Sequence, residues 1–225
     1  MNSVLFISGH PDDHITSAGF LNKLRKKGYS LFEAVLTDGS GGYKNAEEKD
    51  TITKTREEEF LKASVFLEMK ETFYLHFDEH QLLMNKENVE ALTKIIRTVN
   101  PQIIIMPNRD DYHETHIETN KIATKAVRTA MKERKLELGK PVSPSMVLEW
   151  EHSVPKQPEV IIDISDEWVF KEELEKIYFS QLDENEMQKS KSLNQYRGSM
   201  IGVKYAEAFK VNRFLPLRID KILEI

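Results

Sequence analysis

Four consecutive residues near the start of the chain, His10, Pro11, Asp12 and Asp13, combine side chains that bind metal ions and activate water. A histidine and an aspartate at this spacing can supply two metal ligands within one turn, and the aspartate between them stays free as a general base. The apolar residues 3–9 (SVLFISG) precede them and predict a buried strand. Ligands in open α/β sheets bind beyond the carboxyl ends of strands. The segment therefore indicates metal-assisted hydrolysis.

A second predicted strand also ends in a loop that carries histidines. Residues 102–106 (QIIIM) form a short apolar run, and the polar residues 107–116 after it include His113 and His116. If the two strands are parallel neighbours, their terminal loops lie on one edge of the sheet. The two polar segments would then meet.

The side chains that would converge there are His10, Asp13 and one or both of His113 and His116. Two imidazoles and one carboxylate, with an open position for water, suit a catalytic zinc ion. The same ligand types also hold Fe²⁺ or another divalent ion, so they predict a metal without selecting one.

The first segment also has a purely structural interpretation. Taken alone, it could begin a helix, with Asp12 or Asp13 accepting hydrogen bonds from free backbone N–H groups. The second histidine pair at an equivalent strand end favours the metal site, because that interpretation would require a coincidence at both ends.

Composition excludes several other classes of function. The chain has 225 residues and a net charge of −5, which provides no basic field for nucleic acid. It contains no cysteine, so disulfides, thiolate metal sites and cysteine nucleophiles are excluded. No run approaches the roughly 20 apolar residues of a membrane span. We expect a single domain over residues 1–225 of a cytoplasmic protein.

Strand and helix patterns alternate along the chain. This order predicts an α/β fold, Rossmann-like, with a mostly parallel sheet, helices on both faces and the active site at the C-terminal strand ends. Strands are predicted over residues 4–8, 31–37, 73–77, 102–106, 146–151 and 160–164. Helices are predicted over residues 12–27, 51–67, 89–99, 115–136, 167–182 and 186–201.

Several motifs together resemble a known family. They are SGHPDDH (8–14), TDGSGG (37–42), REEE (56–59), DYHETH (111–116), Ser180-Gln181, Arg197-Gly198 and YAEAF (205–209). In this order they resemble the PIG-L/LmbE family of zinc-dependent N-acetylglucosaminyl deacetylases, over about residues 4–209.

The resemblance implies a role for each matching residue. His10, Asp13 and His116 would bind the metal, Asp12 would be the general base, and His113 would steady or protonate the reacting group. This chain departs from the family pattern twice. It has His14 where the family usually has glutamate, and Thr115 where the family often has aspartate. Neither departure removes a predicted ligand or the base.

The resemblance also implies a reaction, namely removal of the N-acetyl group from a small N-acetylglucosamine-containing conjugate. Substrate contacts are expected from Arg56, Asp78 and Tyr112, and a homo-oligomer, trimeric or hexameric, is expected. Two alternatives remain at this stage. One is a metal-dependent amidase or deacetylase acting on a non-sugar N-acyl compound, and the other is a non-catalytic α/β binding module.

Overall fold

The computed structural model describes residues 2–152, 155–215 and 217–218. Its strands form one seven-stranded sheet in the order β3-β2-β1-β4-β5-β7-β6. The strands are β1 (Ser3–Ser8), β2 (Ser30–Thr37), β3 (Glu71–Phe77), β4 (Ile103–Pro107), β5 (Met146–Trp150), β6 (Val160–Asp163) and β7 (Ala206–Val211). Strands β1 to β5 run parallel to one another, and β7 runs antiparallel to both β5 and β6.

Helices cover both faces of this sheet. They are α1 (Ala18–Lys26), α2 (Ile52–Phe66), α3 (Lys86–Val99), α4 (Glu114–Ala130), α5 (Trp168–Glu175) and α6 (Glu184–Ile201). Alternate residues of β1 point to opposite faces. Leu5 and Ile7 join a core with α3 and α4, whereas Val4 and Phe6 join a second core with α1 and α5. The predicted fold class is confirmed.

The central position of β1 brings the two polar loops together. β1 pairs with β4 on one side, with Leu5 opposite Ile104, and with β2 on the other. The loop after β1 and the loop after β4 therefore leave the same edge of the sheet, as the sequence predicts. This edge holds the candidate site.

The chain after β1 differs from the predicted continuous helix. Residues Asp13–Ser17 form a short 3₁₀ helix, and α1 begins only at Ala18. The carboxylate of Glu207 on β7 accepts hydrogen bonds from the N–H groups of Gly19 and Phe20, at 2.9 and 2.8 Å. This side chain, which is far away in the sequence, fixes the start of α1. The preceding turn is therefore not part of α1 and contributes to the site.

Within the described ranges, no helix has both the length and the apolar character needed to cross a bilayer.

Candidate metal centre

Three donor atoms from the two loops lie close together. Nδ1 of His10 is 3.1 Å from Nε2 of His116 and 3.4 Å from Oδ1 of Asp13. Nε2 of His116 is 3.2 Å from the same Asp13 oxygen. Ligand atoms bound tetrahedrally at about 2.05 Å from zinc are about 3.3 Å apart. The three atoms therefore have the mutual spacing of three corners of a zinc coordination tetrahedron.

The far nitrogen of each of these histidines faces a carboxylate. Nε2 of His10 donates to Glu79 at 3.0 Å, and Nδ1 of His116 donates to Asp111 at 3.1 Å. A histidine that binds a metal usually donates its other N–H to a carboxylate or carbonyl, which fixes the ring and raises its basicity. With a metal ion bound at the shared centre, this arrangement would let both rings present an unprotonated nitrogen to it.

The two oxygens of the Asp13 carboxylate have different partners. Its Oδ2 accepts hydrogen bonds from the N–H groups of Gly9 and His10, at 2.7 and 2.9 Å, while Oδ1 faces the two rings. His113 also has a ring nitrogen within 4.8 Å of a ring nitrogen of His10 and of one of His116. Of the two candidates for a third donor, Asp13 has the atom that lies closer to both rings.

The electrostatics of the site reflect crowding of opposite charges. Burial disfavours the charged form of His116, but Asp13 and Asp111 outweigh it and raise the His116 pKa to about 10. Burial disfavours the carboxylate of Glu79 too, yet its bond with His10 lowers the Glu79 pKa to about 2. The ionised carboxylates beside the buried rings supply negative charge that suits a divalent cation.

Asp12 lies beside this centre without joining it. Its Oδ1 accepts a hydrogen bond at 2.6 Å from Arg56, whose other terminal nitrogen donates to the carbonyl of Gly39 at 3.1 Å. Arg56 itself is buried. The pair fixes the direction of the Asp12 carboxylate and leaves its second oxygen available for other contacts.

His113 lies beside both His10 and His116 at the edge of the site. It stands at the start of α4, and its ring centre is 4.6 Å from that of His10 and 4.7 Å from that of His116. Burial and the two neighbouring rings lower the His113 pKa to about 4, which favours the neutral ring. Its Nδ1 is buried without a hydrogen-bond partner among the described residues.

The three substrate contacts predicted from the sequence, Arg56, Asp78 and Tyr112, lie in different parts of the site region. Arg56 lines the pocket around the three donor atoms, which we call the metal pocket, a space of about 200 Å³. Tyr112 is 60% exposed and borders a neighbouring groove. Asp78 is absent from the described lining of the metal pocket, and its side chain accepts from the N–H of His80 and from Gln81.

Sequence reasoning missed three residues of this region. They are Glu79, Asp111 and His152, whose ring centre lies 5.1 Å from that of His116. Asp111 lies inside the DYHETH motif, and His152 follows the end of β5 at the same sheet edge. Its position after a strand was thus the available signal for His152, which is partly buried.

His14, one of the two departures from the family pattern, is fully buried. Its Nδ1 is 2.7 Å from Glu33 of β2, and its Nε2 is 2.8 Å from the hydroxyl of Tyr178. That hydroxyl is also 2.9 Å from the carbonyl of Pro11, while Ser8 donates to Glu33. His14 therefore ties the loop that carries Asp12 to the sheet.

The sequence matches the model of the PIG-L family, GlcNAc-PI de-N-acetylase, over residues 5–127. The chain belongs to the PIG-L family. Among its relatives is the diacetylchitobiose deacetylase of Thermococcus kodakarensis, which is 26% identical over 96% of this chain and 84% of that protein.

Several solved structures share the architecture. The N,N'-diacetylchitobiose deacetylase of Pyrococcus horikoshii, in complex with its inhibitor MPG, superimposes with a TM-score of 0.85 at 23% identity, covering 98% of this chain and 85% of that one. The 4-carboxy-2-hydroxymuconate hydratase of Pseudomonas putida also reaches 0.85, at 20% identity over 94% and 96% of the two chains. Because a hydratase shares the fold, the function must be argued from the site.

Proposed function

We propose that this PIG-L family protein is a metal-dependent hydrolase that removes the N-acetyl group from a small conjugate containing N-acetylglucosamine. The observation that carries the proposal is the triad of donor atoms from His10, Asp13 and His116, with the Asp12 carboxylate beside it and outside the donor set. The deacetylase activity of the curated relative supports the same reaction.

His10, Asp13 and His116 would hold the metal, which we propose to be zinc, with Fe²⁺ as the main alternative. When bound, such an ion polarises a carbonyl group and lowers the pKa of water toward about 7. The donor set fits this role because it has a histidine pair, one carboxylate and two outer carboxylates that orient the rings.

Asp12 is proposed as the general base. Arg56 holds one oxygen of its carboxylate, so the other can accept a proton from the water that attacks the amide carbon. The C–N bond then breaks, and the same proton is delivered to the departing nitrogen. The products are acetate and a free amine.

His113 is proposed to stabilise the oxygen that becomes negatively charged during the attack. A neutral imidazole donates one N–H, and its pKa of about 4 makes the neutral form dominant at neutral pH. Of the two roles expected from the sequence, this environment supports hydrogen-bond donation over proton donation. Returning the proton to the amine is therefore assigned to Asp12.

The sugar part of the substrate is proposed to lie on the side of Glu79 and Tyr112, where the metal pocket adjoins the open groove. Arg56 is proposed to act on the substrate through Asp12, because its guanidinium already contacts Asp12 and Gly39. The proposed assembly is a trimer or hexamer in the cytoplasm, and light scattering on the purified chain tests the subunit number.

The test is an assay of released acetate with the zinc-loaded protein. The panel should contain N-acetylglucosamine, its glycosides, diacetylchitobiose and N-acetyl amino acids. We expect turnover of one or more of the sugar compounds, and its loss in Asp12→Asn. Turnover of the amino acids alone would replace the sugar substrate with another amide. Absence of turnover with zinc bound would contradict the proposed function.

A further inference from the structure

The exposed side of α4 is basic over most of its length. Beyond Glu114 at the start of the helix, the exposed residues of α4 are Lys121, Lys125 and Arg128, at spacings of four and three. Residues at these spacings are neighbours on one side of a helix. They form a stripe of positive charge that runs away from the candidate metal centre, because the proposed ligand His116 lies in the first turn of the same helix.

A recess opens on this stripe. It has a volume of about 410 Å³, and the three cations of the stripe line it together with Arg109 and Arg213. We call it the basic pocket. Asp110 is the one carboxylate among its described lining residues, and it lies 3.2 Å from Nζ of Lys210. The pocket therefore has a clear excess of positive charge.

A second recess, of about 470 Å³, continues the basic pocket toward the end of α4. The two share Met84 and Lys125, and the described lining of the second contains no carboxylate. Four more cations line it, namely Lys86, Lys132, Arg134 and Lys135. Nine of the 32 lysine and arginine residues thus line these two recesses, although the chain as a whole has a net charge of −5.

More than half of these nine cations lack an acidic partner. Four of them have a carboxylate within 4.0 Å. The other five form no ion pair within the part of the chain that the structure describes; they are Lys125, Arg128, Lys132, Arg134 and Arg213. Like charges gathered in this way repel one another and raise the local concentration of anions. The surface is therefore complementary to an anionic ligand.

Three guanidinium groups of the basic pocket converge on the ring of Phe214. The guanidinium carbon of Arg213 lies 4.9 Å from the ring centre, and those of Arg109 and Arg128 lie 5.8 Å from it. Glu149 already binds Arg109, at 2.7 Å. Arg128 and Arg213 are left to bind a ligand, and guanidinium N–H groups match the oxygens of a phosphate or a carboxylate.

The basic pocket is connected to the metal pocket through the open groove. This groove has a volume of about 930 Å³ and shares Glu79 and His113 with the metal pocket. At its other end it shares Ile117 and Lys121 with the basic pocket. A ligand bound at the metal centre can therefore extend along the groove to the cations of α4.

Helix geometry sets the length of such a ligand. Lys125 is nine residues beyond His116, so it lies about 14 Å farther along α4, at about 1.5 Å per residue. A single monosaccharide is too short to place its amide at the metal centre and a charged group beside Lys125. An oligosaccharide conjugate is long enough.

We propose that the basic pocket is a substrate subsite, and that the preferred substrates are N-acetylated oligosaccharide conjugates that carry a phosphate or carboxylate beyond the sugar whose amide is hydrolysed. The inference rests on the proposed deacetylase function and names the class of conjugate. An anionic lipid surface is another source of phosphate groups. The substrate is favoured because the cations line recesses that connect to the reaction centre.

The experiment uses two pairs of compounds derived from N,N',N''-triacetylchitotriose and the zinc-loaded protein. The methyl glycoside is the neutral match of the 1-phosphate, and the alditol is the neutral match of the aldonic acid. At low ionic strength, we expect kcat/KM to be about tenfold higher for each charged compound than for its neutral match. The difference should lie mainly in KM, because the charge is remote from the reacting atoms, and it should shrink in about 0.5 M salt.

Charge reversal locates the effect. Lys125→Glu/Arg128→Glu should reduce the ratio of charged to neutral kcat/KM to about one or below. The matched control is Lys54→Glu/Lys62→Glu, which makes the same change in net charge at two exposed positions of α2. Because α2 packs on the other face of the sheet, this control should keep the wild-type ratio.

The outcomes separate this inference from the proposed function. Turnover with equal values for charged and neutral compounds would overturn the subsite and leave the deacetylase intact. Equal values together with sedimentation of the protein with phosphatidylglycerol vesicles would assign the basic surface to a lipid surface instead. An equal loss of the ratio in both double variants would attribute the preference to net charge and would also overturn the subsite. Failure to deacetylate any of the four compounds, with zinc bound, would contradict the proposed function and this inference together.

Discussion

The carboxylate of Glu79 accepts a hydrogen bond from Nε2 of His10 at 3.0 Å, while Nδ1 of the same ring faces the metal pocket. In the neutral ring, this bond favours the tautomer that leaves Nδ1 unprotonated. Glu79→Gln should therefore weaken zinc binding by about 10- to 100-fold, as measured by competition with a chelator of known affinity. The neighbouring substitution Asp78→Asn is the control and should leave zinc affinity unchanged. Equal affinities for the two variants would show that Glu79 does not orient the ligand.

The adjacent aspartates 12 and 13 should respond differently to substitution. Asp12→Asn keeps the donor triad, so the protein should retain one zinc ion while kcat falls by about 10²- to 10⁴-fold. Asp13→Ala removes a donor atom and should lose the metal under dialysis. Elemental analysis combined with the acetate assay measures both effects. If both variants kept zinc and activity equally, the assignment of base and ligand would be wrong.

Arg56 is expected to act by orienting Asp12. Arg56→Met removes the 2.6 Å contact and leaves the Asp12 carboxylate free to rotate. We expect kcat to fall by about tenfold or more with a smaller change in KM, because the lost interaction positions a catalytic group. Zinc content should stay at the wild-type level. A large rise in KM with unchanged kcat would instead indicate direct contact between Arg56 and the substrate.

His14 and Glu33 should prove to be coupled. His14→Glu places a second carboxylate against the fully buried Glu33, and uncompensated buried charge costs about 3–5 kcal/mol of unfolding free energy. The double variant His14→Glu/Glu33→His restores one carboxylate and one imidazole, so it should recover part of that loss. Urea unfolding of the zinc-loaded proteins measures the coupling. Additive losses in the double variant would contradict the pairing.

Much of the site was predictable from the sequence because the loops that follow adjacent parallel strands leave the sheet at the same edge. His10, Asp13 and His116 follow two apolar runs, and adjacency of those strands suffices to bring them together. Glu79 was missed because it follows β3, and β2 lies between β3 and β1 in the sheet. The sequence could not distinguish Glu79 from Asp78, because both carboxylates follow the same strand.

The last strand was missed for a related reason. Residues 206–211 (AEAFKV) contain the buried Glu207, which breaks an apolar strand pattern. Its carboxylate is satisfied by Lys171 and by the start of α1, and those partners are far away in the chain. His14 and Glu33 show the same limit, because neither residue signals its buried partner locally. Long-range polar pairing explains most of the differences between expectation and structure.

The most direct test of the account is a crystal structure of the zinc-loaded protein, with anomalous scattering recorded on both sides of the zinc edge. We predict one zinc ion bound by Nδ1 of His10, Oδ1 of Asp13 and Nε2 of His116, with Asp12 outside the coordination sphere. A zinc ion held instead by Asp111 and His152, or by Asp12, would contradict the central claim.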